Sequence, residues 1–390
     1  MHQKLKSMMK EKAIERVGRK PIPKGTKLKI WMSSGGRCQY EGCNKPLWKD
    51  ELTQKIMMKG YMSHIIAASS GGPRGDELLS PELQIEYENL MLLCDECHIR
   101  IDKAQVQEHT PEYLYAMKKA QEERIEMLTG LKKEQKTHLI LYGGRIGEQK
   151  ASITFSEAIN AILYDRYPSS DKPIELGIPK CEIEDHLPEY WEFQEKHLIM
   201  AFNKNVKPYL DNDKIQHYSI FALAPQPLLI RLGTLIPDIY PAKVFQKLRE
   251  PLTWKWQESA PKNSIKIIEP NISNKTPALI IGLSATVTND RIHQVLGDDV
   301  SIWRITVVNP HNNFLRSRTQ LSEIRTVFRH VLDKIKAQHG DGEPLHVFPV
   351  MPVSAAVEFG RVRMPKADMS LVIYDQNHQK NGFFKTLTIS

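Results

Sequence analysis

The sequence predicts a small α+β module followed by a larger α/β region, and three features of the chain predict it. Four of the five cysteines fall between residues 31 and 109, in two close pairs set among small polar, turn-forming residues. From about residue 137 short apolar runs of strand character alternate with helical patterns. Between the two lies one amphipathic helical stretch. A loop-rich unit with few apolar residues needs a staple, whereas alternating strands and helices build layered sheets, parallel or mixed.

The first element is a basic arm over residues 1–30. It holds ten lysines and arginines against Glu11 and Glu15, so it carries an excess equal to the whole chain's net charge of +8. That concentration suits a polyanion such as nucleic acid, although a solvated helix face would look the same. "KPIPKG" is expected to end any helix there, through Pro21, Pro23 and Gly25. No run approaches eighteen apolar residues, and the first twenty contain no apolar leader core. The expectation is a cytoplasmic protein with no membrane span, its cysteines reduced or bound to metal.

The second element, residues 31–109, contains "GGRCQYEGCNKPL" and "NLMLLCDECHIRID". Cys38 and Cys43 form a C-x4-C turn eased by Gly42, and Cys94 and Cys97 a C-x2-C pair. Two such pairs fit a structural zinc ion, which four thiolates surround at about 2.3 Å. A closed four-thiolate site leaves no vacancy for catalysis, so His98, directly after Cys97, has another task. His64, in "GYMSHIIAAS", lies on a short strand-like run.

The third element, residues 110–136, reads as a linker helix. Thr110 is its N-cap, Pro111 its first residue and Glu112 an acidic first-turn residue. Leu114, Met117, Ile125, Leu128 and Leu131 form its stripe, and Gly130 marks its end.

The fourth element, residues 137–390, holds runs such as "THLILYGG", "HYSIFALAP", "PALIIGLSATV", "SIWRITVVNP" and "MSLVIYD" interleaved with helical patterns. A break near 258–276 divides it into two α/β units, and no short repeat is apparent. It contains no P-loop, GxGxxG or catalytic triad. Ligands of such sheets bind beyond the carboxyl ends of the strands. Polar residues on those loops, Ser284, Thr286, Asn309, Asn312, Arg316 and Ser354, are therefore the candidate pocket, with Arg316 suited to a phosphate. Trp254 and Trp256 are expected in a core or interface, and Cys181 as a lone thiol.

"RCQYEGC … SHIIAASSGGPRGD … NLMLLCDECHIRID" resembles the HNH nucleases. The resemblance implies a ββα fold holding one divalent ion, stapled by zinc as in many members. His64, Asn89 and His98 take the signature positions. His64 would then accept a proton from the attacking water, Asn89 would orient the loop and the His64 imidazole, and His98 would hold a Mg²⁺-like ion. Ser63 stands where many members carry an acidic or histidine ligand, and Asp76, close by in sequence in "GGPRGD", is a candidate substitute. Arg37, Lys45 and Lys49, with the basic arm, would contact phosphates of double-stranded DNA.

"YSIFALAPQPLLIRLGTLIPD", "WRITVVNP" and "LHVFPVMPVSAAVEFGRVRMPKADMSLVIYD" resemble the SAVED domain, a pair of fused CARF-like Rossmann units. Together the two resemblances are to HNH–SAVED effectors of cyclic-oligonucleotide anti-phage signalling (CBASS). They imply a DNA endonuclease activated when a cyclic di- or trinucleotide binds and drives homo-oligomer assembly. Two alternatives remain from the residues: a restriction-type nuclease whose C-terminal half reads DNA, and a zinc-stapled DNA-binding regulator without activity. The near-neutral charge of residues 31–390 weighs against the first, and the conjunction of His64, Asn89 and His98 against the second.

Overall fold

The structure is a computed structural model that describes residues 20–146, 149–163, 165–178, 181–210, 217–261, 264–271, 276–380 and 382–390. Most of the basic arm, residues 1–19, lies outside the described residues. The chain divides into two compact units, Met1–Gly130 and Leu131–Ser390. Among the described residues no helix is long and apolar enough to cross a membrane.

In the N-terminal unit, helix α1 spans Lys24–Ser33. The prolines of "KPIPKG" begin this helix where they were expected to end one, because Pro23 sits at its N-cap, with φ −57° and an extended ψ of 147°. A helix start leaves its first N–H groups unbonded anyway, so a ring that removes one costs nothing there. Strand β1 (Tyr61–His64) pairs antiparallel with β2 (Leu90–Leu93), His64 opposite Leu90 and Tyr61 opposite Leu93. Helix α2 (Leu79–Leu83) lies in the connection. Helix α3 (Asp95–Ile99) leaves β2 at Cys94 and runs into a wider turn over Arg100–Ala104, closed by Gln105 N–H donating to Arg100 O at 2.9 Å.

Helix α4 covers Pro111–Thr129, and Thr110 Oγ1 accepts from Tyr113 N at 3.3 Å as its cap. This helix is not a free linker over 110–136. Leu114 and Met117 are buried in one core with Ile30, Leu47, Ile65, Leu90–Leu93 and Ile101. Gln121 beside them donates to Ser34 O at 2.9 Å and accepts from Gln39 at 3.1 Å. The start of the helix's apolar stripe completes the small module's short core instead of facing solvent between two units.

The C-terminal unit begins with β3 (Lys136–Gly143), α5 (Phe155–Ile162), β4 (Tyr167–Pro168), β5 (Ile174–Glu175), α6 (Pro188–Asn205), β6 (Tyr218–Leu223), α7 (Gln226–Leu235) and β7 (Ala242–Phe245). These strands form a parallel sheet ordered β4-β3-β6-β7, with β5 also on β3. The second half contains β8 (Ile265–Ile268), β9 (Thr276–Gly282), α8 (Asp290–Leu296), β10 (Val300–Val307), α9 (Arg318–His339), β11 (Leu345–Val350), α10 (Val353–Val362), β12 (Leu371–Asn377) and β13 (Gly382–Ile389). Its sheet runs β8-β10-β9-β11-β12-β13, parallel within and closed by antiparallel strands at both edges. The break expected near 258–276 holds β8, the first strand of this sheet. Trp254 is buried edge-on against Phe221, ring centroids 5.3 Å apart, so it is a core residue. Cys181 is buried.

The two halves share an internal pattern. In each, a buried strand ends at a proline cap (Pro225, Pro352), a helix follows, and a glycine sits eight residues after the proline (Gly233, Gly360). α7 and α10 cross at those glycines. A Cβ on Gly233 would stand 2.1 Å from Val357 O, and one on Gly360 2.0 Å from Ile230 O. Only a hydrogen fits between these backbones. The repeat escapes sequence inspection because its side chains differ; what recurs is strand, proline, helix and glycine.

Candidate functional site

The four cysteines converge. Their sulfurs all lie within 4.8 Å of one another, and Cys43 Sγ is 3.9 Å from Cys94 Sγ. Local structure explains the convergence: Gly42 (φ 78°) and Asn44 (φ 53°) curl the first pair, while Cys38 N–H donates to Lys45 O at 2.9 Å. The second pair stands at the junction of β2 with α3, where Cys94 N–H donates to Cys38 Sγ at 3.4 Å. Burial pushes the Cys38 thiol up to about 12 and raises Cys97 as well. At Cys43 burial acts in the same direction, but hydrogen bonds from the Lys45 backbone and the neighbouring thiols outweigh it and lower the value. Thiols so crowded and buried suit a divalent ion, which deprotonates its sulfur ligands outright. Four soft donors in a small volume fit zinc.

Beside this knot is a cleft of about 330 Å³ bordered by Ser63, His64, Gly72, Pro73, His98 and Asp102 among others. His64 ends β1, and its Nε2 lies 2.9 Å from Gln84 O. A carbonyl can only accept, so Nε2 carries the hydrogen and Nδ1 is the basic ring atom of the neutral imidazole. His98 comes from α3, which the second cysteine pair starts, and its ring stacks on Tyr61 with centroids 5.0 Å apart. One turn further, Asp102 Oδ2 lies 3.1 Å from His98 Nε2.

Of the two partners anticipated for Asn89, its side chain bonds the loop, and Gln84 O takes the His64 Nε2. Its Oδ1 accepts from Ile66 N at 2.8 Å and from Tyr115 Oη at 3.1 Å. Its Nδ2 donates to Ile66 O at 2.8 Å and Leu83 O at 3.1 Å. Asn89 thus holds the loop after His64 through two hydrogen bonds to Ile66 and ties it to Leu83 and Tyr115 through two more, while Gln84 O orients the imidazole. Asp76 is not at the cleft: its Oδ1 accepts from Leu78 N and Leu79 N at the start of α2. Ser63 Oγ is buried and unpartnered at the cleft, a neutral group that cannot offset an ion's charge. The carboxylate paired with His98 is Asp102, which sequence inspection missed. The signal was present in "CHIRID", since residues four apart share a helix face.

Of the suggested DNA contacts, Arg37 Nη1 donates to Asn44 O at 3.1 Å, Lys45 pairs with Glu96 at 2.8 Å, and Lys49 lies over the Trp48 ring at 5.3 Å. All three are on the turns around the first cysteine pair.

In the C-terminal unit a cleft of about 860 Å³ opens beyond the strand ends. Arg145 follows β3, Pro225 and Gln226 follow β6, Met351 and Val353 follow β11, and Asp375, Gln376 and Asn377 finish β12. Glu184, Asp185, His186, Arg249 and Gln379 add to its polar wall. None of the six residues chosen from sequence borders it. Ser354 is buried and donates its hydroxyl to Gln246 Oε1 at 2.8 Å, and Arg316 Nε donates to Asn313 O at 2.9 Å. Ser284 N–H bonds Val350 O at 2.9 Å, while Thr286, Asn309 and Asn312 are exposed. This cleft also lies beyond strand ends, but on other loops than the six residues chosen from sequence. The readable signal was "LVIYDQN", an apolar strand that finishes in three polar residues.

The cleft has the size of a small-molecule site, and its wall carries two arginines, the carboxyl groups of Glu184, Asp185 and Asp375, and several side-chain amides. Asp375 is only half-buried as a residue, yet its carboxyl group is enclosed. Burial pushes that carboxyl up to about 7, and the like charge of Asp185 adds to the rise. Folded protein therefore keeps this proton to about pH 7, whereas the unfolded chain releases it near 3.8. Stability of the C-terminal unit should fall as pH rises through that window. Melting temperatures at pH 5 and pH 8 check this: Asp375→Asn should reduce the difference, and an unchanged difference would sink the assignment.

Similar solved structures include the Acinetobacter baumannii Cap4 SAVED/CARF-domain containing receptor with the cyclic trinucleotide 3'3'3'-cAAA. It is 12% identical with a TM-score of 0.40, covering 81% of this chain and 67% of that one. The same receptor with 2'3'3'-cAAA gives 11% identity and a TM-score of 0.40 over 80% of this chain and 66% of that one. The Moraxella osloensis Cap4 receptor gives 13% and 0.39, over 57% and 48%. The chain thus spans about two thirds of the length of the Acinetobacter receptor. No curated protein matches it. Residues 198–389, which include the polar end of β12 and both glycines of the helix crossing, match the family model described as SAVED, the SMODS-associated and fused to various effectors sensor domain, and the C-terminal unit carries that α/β domain.

Proposed function

We propose that the chain is a metal-dependent DNA endonuclease whose activity a cyclic oligonucleotide switches on, acting as an effector of anti-phage signalling. The observation that carries the nuclease reading is the meeting of His64, His98 and Asp102 at one cleft beside a four-thiolate knot. The sensor reading is supported by the SAVED domain, described as a sensor fused to various effectors, and by a cleft with two arginines.

His98 and Asp102 would hold a magnesium-like ion, which would supply charge stabilisation at the phosphorus and the departing oxygen. His64 accepts a proton at Nδ1 from the attacking water, its other ring nitrogen anchored to Gln84 O. Asn89 keeps His64 in place by holding the loop that follows it. Arg145 and Arg249 would pair with the phosphates of the cyclic ligand, and the Gln226, Gln376 and Asn377 amides would read base edges. For the ligand to act as a switch it must bind the assembled, active form better than the idle one.

The test is plasmid cleavage by the full chain with Mg²⁺, alone and with a panel of cyclic di- and trinucleotides. Cleavage is expected with one class of cyclic nucleotide only. His64→Ala should lower it by about 10²–10⁴-fold, the range for a general base. Cleavage without ligand would remove the switch, and full activity in His64→Ala would remove the proton-acceptor role.

A further inference from the structure

The segment "SSGGPRGD", Ser69–Asp76, lies between the two strands and carries one cation, Arg74. It is built tightly. A Cβ on Gly75 would stand 2.5 Å from both Ser69 O and Ser70 O, and one on Gly72 2.6 Å from Ala67 Cβ. Within this turn Arg74 adopts φ +57°, a left-handed conformation that non-glycine residues seldom take. The turn aims the guanidinium inward, where the side chain is 5% exposed.

Every nitrogen of that guanidinium has a partner. Nε donates to Ile65 O at 2.7 Å, the residue after His64. Nη1 donates to Ile101 O at 2.6 Å, and Nη2 to Asp102 Oδ1 at 2.5 Å. Nη2 also reaches His64 O at 3.4 Å. One planar group thus joins the end of β1 to the turn after α3, which are the segments that carry His64 and the His98–Asp102 pair. It also settles the orientation of Asp102. With Oδ1 on Arg74, Oδ2 is left facing His98 Nε2.

We infer that Arg74 is a positioning residue that sets the spacing between His64 and the His98–Asp102 pair and directs one oxygen of Asp102 towards a bound divalent ion. The inference rests on the metal-dependent reading above. Two effects of Arg74 oppose each other. Its positive charge repels a cation, while its clamp preorganises the ligands. The clamp wins, because three fork-shaped donations to two chain segments cannot be replaced by a mobile carboxylate, and charge-assisted bonds to Asp102 are directional. Lysine cannot substitute, since a single ammonium does not span those directions.

The experiment measures Mn²⁺ binding to the full, zinc-loaded chain by the loss of the free Mn²⁺ electron paramagnetic resonance signal, with zinc content recorded in parallel. Wild type should bind Mn²⁺, and Asp102→Asn should bind it more weakly. Arg74→Lys and Arg74→Gln should weaken it by about 10–100-fold, the usual cost of losing a partner of a metal ligand, while zinc is retained. In the Asp102→Asn background, Arg74→Gln should add little, because the clamp acts through Asp102. Unchanged or tighter Mn²⁺ binding in both Arg74 variants would overturn the inference, tighter binding meaning that only charge matters. Loss of zinc together with Mn²⁺ in Arg74→Lys would overturn it too, making Arg74 a general staple of the unit. If wild type bound no Mn²⁺, the nuclease reading itself would fail and this inference with it.

Discussion

Replacing Cys94 by serine should leave the N-terminal unit without cooperative folding, while the unit over residues 131–390 melts as before. The magnitude follows from the source of the small unit's stability. Its core is short, essentially Ile30, Leu47, Ile65, the four residues of β2, Ile101 and two side chains of α4. A structural zinc ion contributes about 10–16 kcal/mol of apparent binding free energy near neutral pH, comparable to or larger than the whole stability of an ordinary domain. Cys94 occupies two roles at once, as a thiol of the knot and as the N-cap position of α3. Serine can keep the cap position, so it is the lost thiolate, by releasing the junction of β2 with α3, that should free His98 and Asp102 as well. Zinc content by elemental analysis, with hydrogen exchange over residues 61–104, checks the expectation. A serine variant with full zinc and wild-type protection would show that the four sulfurs do not share an ion.

The second large effect is expected at the crossing of α7 and α10. Gly360→Ala should lower the stability of the C-terminal unit by about 3 kcal/mol or more, at the upper end for an overpacked core. For a unit of this size that is a fall of about 6–12 °C in melting temperature. The usual relief in overpacking is a side chain that changes rotamer. Here the new methyl would meet the carbonyl oxygen of Ile230 at 2.0 Å, so a whole helix must move. Gly233→Ala meets Val357 O in the same way. Gly342→Ala, with nothing within 4 Å of its Cβ, is the control and should melt as wild type. Equal melting of Gly360→Ala and Gly342→Ala would mean that the helices do not cross so closely. Because each helix follows a strand end that borders the larger cleft, a shifted crossing should also deform that cleft and weaken the cyclic-nucleotide binding proposed for it.

Elements with a local cause could be read from sequence. The Cys38/Cys43 and Cys94/Cys97 pairs declare themselves by spacing, since a turn must bring two thiols to one ion. Helix α4 declares itself by Thr110 and Pro111, and α9 by its apolar stripe from Leu321 to Ile335 behind the Ser317 cap. His64, Asn89 and His98 were found through a family resemblance, and the structure brings the two histidines to one cleft. Pro23 was misread because a proline speaks equally of a helix's start and of its end. Helix α4 was misplaced as a linker because its sequence tells which face is apolar but not what that face meets.

The sequence by itself determined that the chain changes class, which cysteines form a set, and that the C-terminal strands are buried. Those properties depend on spacing and on apolar periodicity, which are local. Tertiary structure alone decided that Asp102 and not Asp76 stands with His98, that Arg74 clamps it, and that Asp375 and Asn377, not Ser284 or Asn309, border the cleft. It also decided that two dissimilar helices meet at Gly233 and Gly360. Each of these depends on where a side chain from one segment finds its partner on another. Such a pairing is chosen by the whole fold, because a carboxylate, a guanidinium or a missing Cβ has the same local signature wherever it sits along the chain.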